Sequence, residues 1–491
     1  MGNNHVVSYQ SPRPEVKIWK PDRTGSPICF DTAQKRILQS YTFGTSINEQ
    51  KGKFTLTFYP DIDGLPPGEE AIIDQIQILD VVEIYESKNH LLQRQIKING
   101  VASTAYDKIV PTFVGVIREK KYSSSMANGG ANRKITVSGH SIAGFVNEFK
   151  MNLDMQATVI TEELANNEEV QKQFTIKFIQ TNMEPLDVAY VIKEVWKSFV
   201  DLSKRYQASS TLKIEEYLQK WIGGADEIFD IDTTTKFHYP IGSIFKGQST
   251  QTFNDIITHL IPQPVYEIFP YMDLKKGKMR LKIREVPFDM DIWSNSNKIK
   301  KTQIDPKSIK SFDVKQNDNE VYTVFFSYLN GYPIQQDKAI ILAAQKVSDM
   351  PGVEINAEKF QVYGYRPLFV NFNGYGRANG EEDTDTSSRL QKLNQRLKDW
   401  FGNKEKMYSG TISMETNLAE DMPQPGEIVA FLDGEFYVVD SEHNWNYGVA
   451  PETRITIDRG GDYKFNNFSE LKDISKRYQE FVKTIKRLGE F

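Results

Sequence analysis

Residues 53–59 set Phe54, Leu56 and Phe58 against Lys53, Thr55, Thr57 and Tyr59, the two-residue period of a strand with one buried face. Residues 37–46 alternate in the same way, and residues 80–85, 113–119 and 134–138 read as further strands. Between them, residues 60–68 form a loop rich in proline and glycine, and residues 123–132 read as a polar, mobile hairpin tip. Six or so short strands in the first 150 residues predict a barrel or a sandwich.

The period changes near Met151. Residues 185–202 place Val188, Val191, Ile192, Val195, Trp196, Phe199 and Leu202 at helical spacing, with Pro185 in the first turn. A second helix is predicted over 214–222, stopping at Gly223-Gly224. A third covers 249–261, with Phe253, Ile256, Ile257 and Leu260 on one side. Residues 265–289 then read as a hairpin turning at Lys276-Gly277. A second β region opens at 321–329. A helix over 387–401 follows the acidic run Glu381, Glu382, Asp383 and Asp385, charges that favour a helix N-terminus. Strands at 428–431, 436–439 and 453–457 follow, the first two joined by a tight turn at Asp433-Gly434. The last predicted helix, 469–488, carries Leu471, Ile474, Tyr478, Phe481, Ile485 and Leu488 in a narrow a/d seam. A seam two positions wide fits one partner helix or groove, so this helix reads as an assembly element.

Composition adds limits. A chain of 491 residues has room for about three domains. Its net charge of −5 gives no overall pull toward nucleic acid or anionic lipid. The single cysteine, Cys29, cannot form an intramolecular disulfide, and the chain reads as folding in a reducing cytoplasm. Residues 1–11 lack the apolar run of a signal peptide, and no apolar run approaches the length of a membrane span. Residues 275–310 hold eleven Lys/Arg against four Asp/Glu, which reads as a solvated charged surface before it reads as a nucleic-acid groove.

Little in the chain looks like chemistry. Gly139-His140-Ser141-Ile142-Ala143-Gly144 follows a strand and has the outline of a hydrolase nucleophile elbow. That elbow belongs in a parallel sheet, and the strands before it here read as antiparallel. The six histidines are scattered, with no metal-ligand spacing, and His443 beside Trp445 reads as structural. No phosphate-binding loop is present. No residue is assigned a catalytic, cofactor or metal role.

Several segments, in order, resemble the phage baseplate hub family, the tail hubs of the late control protein D type, related to the N-terminal hub part of VgrG. Residues 37–60, then 81–86, 113–122 and 133–146, look like its first barrel. Residues 252–289 resemble its small α/β segment, and 387–401 with 409–462 its second barrel and helix. The inserted helical region and the C-terminal helix depart from the pattern. The resemblance implies an α+β, mainly β, fold of two tail-tube-like antiparallel barrels. Residues 1–155 would form the first barrel, 156–245 a helical insertion, 246–310 the small α/β segment, 311–464 the second barrel, and 465–491 the C-terminal helix. The two barrels are expected to superpose. The implied function is structural and not enzymatic. A homotrimeric ring would adapt a hexameric tail tube to a trimeric spike, supplied by a separate chain. Other baseplate proteins would be partners, DNA or effectors would pass through the lumen without specific binding, and no membrane or cofactor would be involved. The place of action would be a virion tail or injection particle assembled in a bacterial cytoplasm. The alternatives are a tail-associated cell-wall hydrolase or esterase using Ser141, and a carbohydrate-binding module.

Overall fold

A computed structural model of the chain describes residues 14–21, 25–31, 37–59, 73–86, 110–127, 130–151, 186–206, 221–233, 236–237, 251–261, 263–287, 299–305, 308–329, 353–372, 383–416, 422–431 and 434–461. The predicted helix at 469–488 lies outside them, as does that at 214–222 except for Trp221 and Ile222.

The alternating N-terminal segments form β1 (Glu15–Trp19), β2 (Ile28–Asp31), β3 (Leu38–Ser46), β4 (Lys53–Phe58), β5 (Val81–Tyr85), β6 (Phe113–Ala127) and β7 (Gly130–Ser141). The later β region supplies β15 (Lys301–Gln303), β16 (Ile309–Lys315), β20 (Tyr408–Glu415), β21 (Ile428–Phe431), β22 (Gly434–Asn446) and β23 (Glu452–Gly461). All thirteen belong to one sheet. Its main path runs β16-β20-β23-β22-β3-β4-β7-β6-β5-β1-β2, with β21 and β15 branching from β22.

The two halves meet at β22. Its first residues, Gly434 to Tyr437, pair with β21, and its last seven, Asp440 to Asn446, pair antiparallel with β3. Its other edge pairs with β23, across two irregularities in register. The halves read from the sequence as separate barrels thus share hydrogen bonds across a continuous sheet. Residues 123–127, expected in a mobile tip, continue strand β6, and Ala127 pairs with Gly130. Phe431 pairs with Gly434, so β22 begins one residue earlier than the expected turn allowed.

A smaller sheet packs beside the first half. In it β14 (Lys278–Glu285) pairs antiparallel with β13 (Tyr266–Asp273) and parallel with β10 (Phe229–Asp232). Gly277 takes a positive φ of 64° in the turn between β13 and β14, which costs a residue without a Cβ little. The helices around it are α1 (Ile142–Val146), α2 (Val188–Tyr206), α3 (Ala225–Ile228) and α4 (Phe253–Leu260). Thr252 and Asp255 close a capping box on α4. The apolar stripe of α2 is buried through Val188, Val191, Ile192, Val195 and Trp196, and Trp196 meets Phe229 and Phe253 edge-on. Two-stranded pairs, β8 (Lys150–Met151) with β12 (Gln251–Thr252) and β9 (Leu186–Asp187) with β11 (Lys236–Phe237), tie in the connections.

A third sheet, ordered β18 (Val353–Ile355), β17 (Val324–Leu329), β19 (Pro367–Phe372), carries α5 (Ala357–Tyr363) and is backed by α6 (Asp383–Phe401). That helix starts earlier than its apolar stripe, taking Asp383 and Asp385 into its first turn, where negative charge is favourable.

Candidate functional site: a polar sheet face across both halves

Eight consecutive strands of the large sheet, β16-β20-β23-β22-β3-β4-β7-β6, have two unlike faces. One is the core. Tyr41, Phe43, Phe54, Leu56, Ile135, Val137, Ile412, Trp445, Ile455 and Ile457 are all buried there. The alternate positions face the other way. The cross-strand register strings them into rows. One row runs Thr136, Thr57, Ser40, Asn446, and the next runs Ser138, Thr55, Thr42, Asn444, Glu452, Glu415. Further rows add Gly44, Glu442, Arg454 and Ser413, then Asp440, Thr456, Thr411 and Asp313. Hydroxyl groups are the commonest, and with Lys53 opposite Gly44 and Lys121 opposite Thr136 joining Arg454, the charges are mixed in sign. At the joint of the halves burial raises the Asp440 carboxyl above the usual carboxylate range, and Glu442 and Glu49 add to the rise.

Glycines allow the strands to lie this close. A Cβ on Gly139 would collide with the Val116 carbonyl and meet the Phe54 ring at 2.8 Å, and one on Gly460 would collide with the Phe436 ring. Each half thus lays a phenylalanine over a glycine in a strand.

Beneath the joint lies a buried polar chain. Tyr41 donates from its hydroxyl to Glu86, His443 Nε2 lies 2.9 Å from the same Glu86 Oε1, and His443 Nδ1 lies 2.9 Å from Thr453 Oγ1. His443 and Thr453 are fully buried. Burial and the neighbouring Glu86 push the Tyr41 hydroxyl well above its ordinary pKa. A second buried network joins the small sheet to β22. Arg284 donates to Glu267 at 3.0 Å, to the Gly426 carbonyl at 2.7 Å and to Tyr437 at 2.8 Å, while Tyr437 donates to Glu267 at 2.6 Å. Gln424 adds a two-way clamp, accepting from Met272 N and donating to Met272 O.

The serine of the elbow-like motif is spent on structure. Ser141 ends β7 and caps α1: its hydroxyl donates to Lys51 O at 2.6 Å and accepts from Gly144 N at 2.9 Å. It is fully buried, with no solvent path to its oxygen. Nearby, His140 sits by Glu148 at 3.4 Å and is held below its ordinary pKa, chiefly by burial. Much of the described part of the basic stretch is paired with acids. Lys278, Lys282, Arg284, Lys300, Lys301 and Lys310 pair with Glu227, Asp230, Glu267, Glu427, Glu435 and Glu452 respectively. Among the described residues no cluster of three or more potential metal ligands occurs. No helix among them is long and apolar enough to cross a membrane.

No known family matches the sequence, and no curated protein matches it. Solved structures do resemble the chain. A tail protein from Neisseria meningitidis MC58 is 12% identical, over 91% of this chain and 96% of that one, with a TM-score of 0.45. The 43 kDa tail protein of prophage MuSo2 from Shewanella oneidensis is 11% identical over 91% and 98%, with a TM-score of 0.45. The prophage tail protein gp18 from Listeria monocytogenes EGD-e is 10% identical over 96% and 99%, with a TM-score of 0.39. Each of the three is a tail protein.

Proposed function

We propose that the chain is a structural hub of a phage tail or related contractile injection particle. The observation that carries this reading is the polar face eight strands wide, rich in serine and threonine and unbroken across both halves. Such a face has no use as a core and no grip on a particular ligand. It suits the wall of a channel. Three copies in a ring would place three such faces around one lumen, with each half standing as one tube-like barrel unit. The ring would meet a hexameric tail tube on one side and a trimeric spike, from a separate chain, on the other, with further baseplate proteins around it. DNA or effector protein would pass the face without being held, since mixed charges and hydroxyls offer no phosphate track. On this reading residues 1–155 and 311–464 are the two ring-forming units, and 156–310 brace them.

Mass photometry of the full chain, alone and with its particle's spike protein, tests the proposal. Trimers are expected, and monomers or dimers under both conditions would overturn it.

A further inference from the structure

A lysine is seldom buried unless a partner holds it. Lys404 is 5% exposed, in the single turn that follows α6. Its ammonium pairs with Asp458 of β23 and, at 3.0 Å, with Glu320 in the turn ahead of β17. Arg459 Nε lies 3.8 Å from the same Asp458 oxygen that Lys404 contacts, and its guanidinium sits 3.8 Å over the Trp400 ring. The other Asp458 oxygen, Oδ1, is buried and has no hydrogen-bond partner. A buried ion pair holds best when every lone pair is satisfied, and here one oxygen is left over.

An amine, a carboxyl carbon and a second carboxylate in one contact set are the parts of an amide-forming site. Burial lowers the Lys404 pKa, and Arg459 adds to the fall, so the amine gives up a proton more readily. Burial raises the Asp458 carboxyl, but Arg459 and Lys404 bring it below its usual range. Asp458 therefore enters as a carboxylate, with Arg459 beside the oxygen that would carry the charge of a tetrahedral carbon. The Glu320 side chain is 57% exposed, which opens the site to solvent on the side where a proton or a water leaves.

We propose that Lys404 and Asp458 close an isopeptide bond in the folded protein, with Glu320 carrying a proton between them. Lys404 Nζ passes one proton to Glu320 and attacks Asp458 Cγ. The Nζ–Cγ bond forms and the Cγ–Oδ1 bond breaks. Oδ1 leaves as water, with the proton that Glu320 returns and a second one from Nζ. An ammonium and a carboxylate thus become a neutral amide and one water, with nothing oxidised or reduced and no co-reactant. Contact within the fold replaces a chance encounter of the two groups. The product keeps one N–H toward Glu320 and one oxygen toward Arg459, and the unpartnered oxygen is gone. The bond would tie the turn after α6 to the last strand of the large sheet.

Intact mass spectrometry of the full chain after denaturation tests this. The folded protein is expected to weigh one water less than its sequence, and digestion is expected to yield a branched peptide joining Lys404 to Asp458. Lys404→Arg and Asp458→Ala should each restore the full sequence mass. Glu320→Gln should slow closure on the order of a hundredfold, so that freshly folded protein still carries the water. An unsubstituted chain that stays at full sequence mass after prolonged incubation would overturn the proposal. So would a missing water that survives in Lys404→Arg, closure at an unchanged rate in Glu320→Gln, or a branch at Lys359 and Glu405, which also pair. Should the variants fail to fold, the digest of the unsubstituted chain decides: no branch at Lys404 would sink the idea.

Discussion

Single residues carry the joints of this molecule. Gly144 lies under Lys51, whose carbonyl a Cβ there would strike, at the same corner where Ser141 caps α1. Gly144→Ala is expected to cost about 2 kcal/mol or more, read as a lower denaturation midpoint with an unchanged slope. Asp440 gives a pH test. Its folded-state carboxyl is raised, so the fold disfavours its ionised form, a cost fully present at neutral pH. The cost fades as pH falls through the raised folded value and is gone below the unfolded value of about 3.9. Asp440→Asn should therefore raise the thermal midpoint at pH 7, and the gain should vanish in acid. A gain that persists at low pH would refute the assignment. Ser141 shows how a motif misleads. Its spacing is that of a nucleophile elbow, but what decides its role is the carbonyl at the far end of another turn, which no local pattern contains.

At the scale of elements, strands and helices were readable wherever one face is buried. The stripe of α2 and the turn at Gly277 follow from local spacing, whereas the helix expected over 249–261 starts only at Phe253, behind the Thr252 cap. The ribbon at 123–127 was not readable, since its serines carry no apolar alternation and its order comes from pairing with β7. Nor was the pairing of β3 with β22, which joins residues some four hundred positions apart and is set by packing alone. The threonines and serines of the polar face were visible as the polar half of each alternation. Their meaning emerged only when the strands were put in order. The Tyr41-Glu86-His443-Thr453 chain holds this joint. His443→Leu strips the buried Glu86 of one partner and is expected to cost about 3 to 5 kcal/mol. Adding Glu86→Gln should return at least about 1 kcal/mol. Strictly additive losses would show that the pair is not coupled.

For the whole molecule, the resemblance supplied a class of architecture, and the structure supplied the way its halves are joined. Charge points the same way as shape. Six cations of the basic stretch pair with acids of the same chain, and the polar face mixes both signs. Fluorescence anisotropy with labelled duplex DNA should accordingly show no saturable binding at physiological salt. Tight binding with a steep salt dependence would put a phosphate track on the surface and contradict a passive channel wall.

One strand, β22, is shared by both halves, and this has a mechanical meaning. The hydrogen bonds between β3 and β22 lie across the strand direction. A force drawing the halves apart along the strands must shear all seven paired positions at once, whereas one pulling sideways opens them in turn. A single molecule held in optical tweezers should yield at distinctly higher force along the strands than across them. If the proposed ring forms and the strands run with its channel, a particle that drives its contents through it would load the joint along its stiff direction, and the two halves would then transmit the stroke as one body.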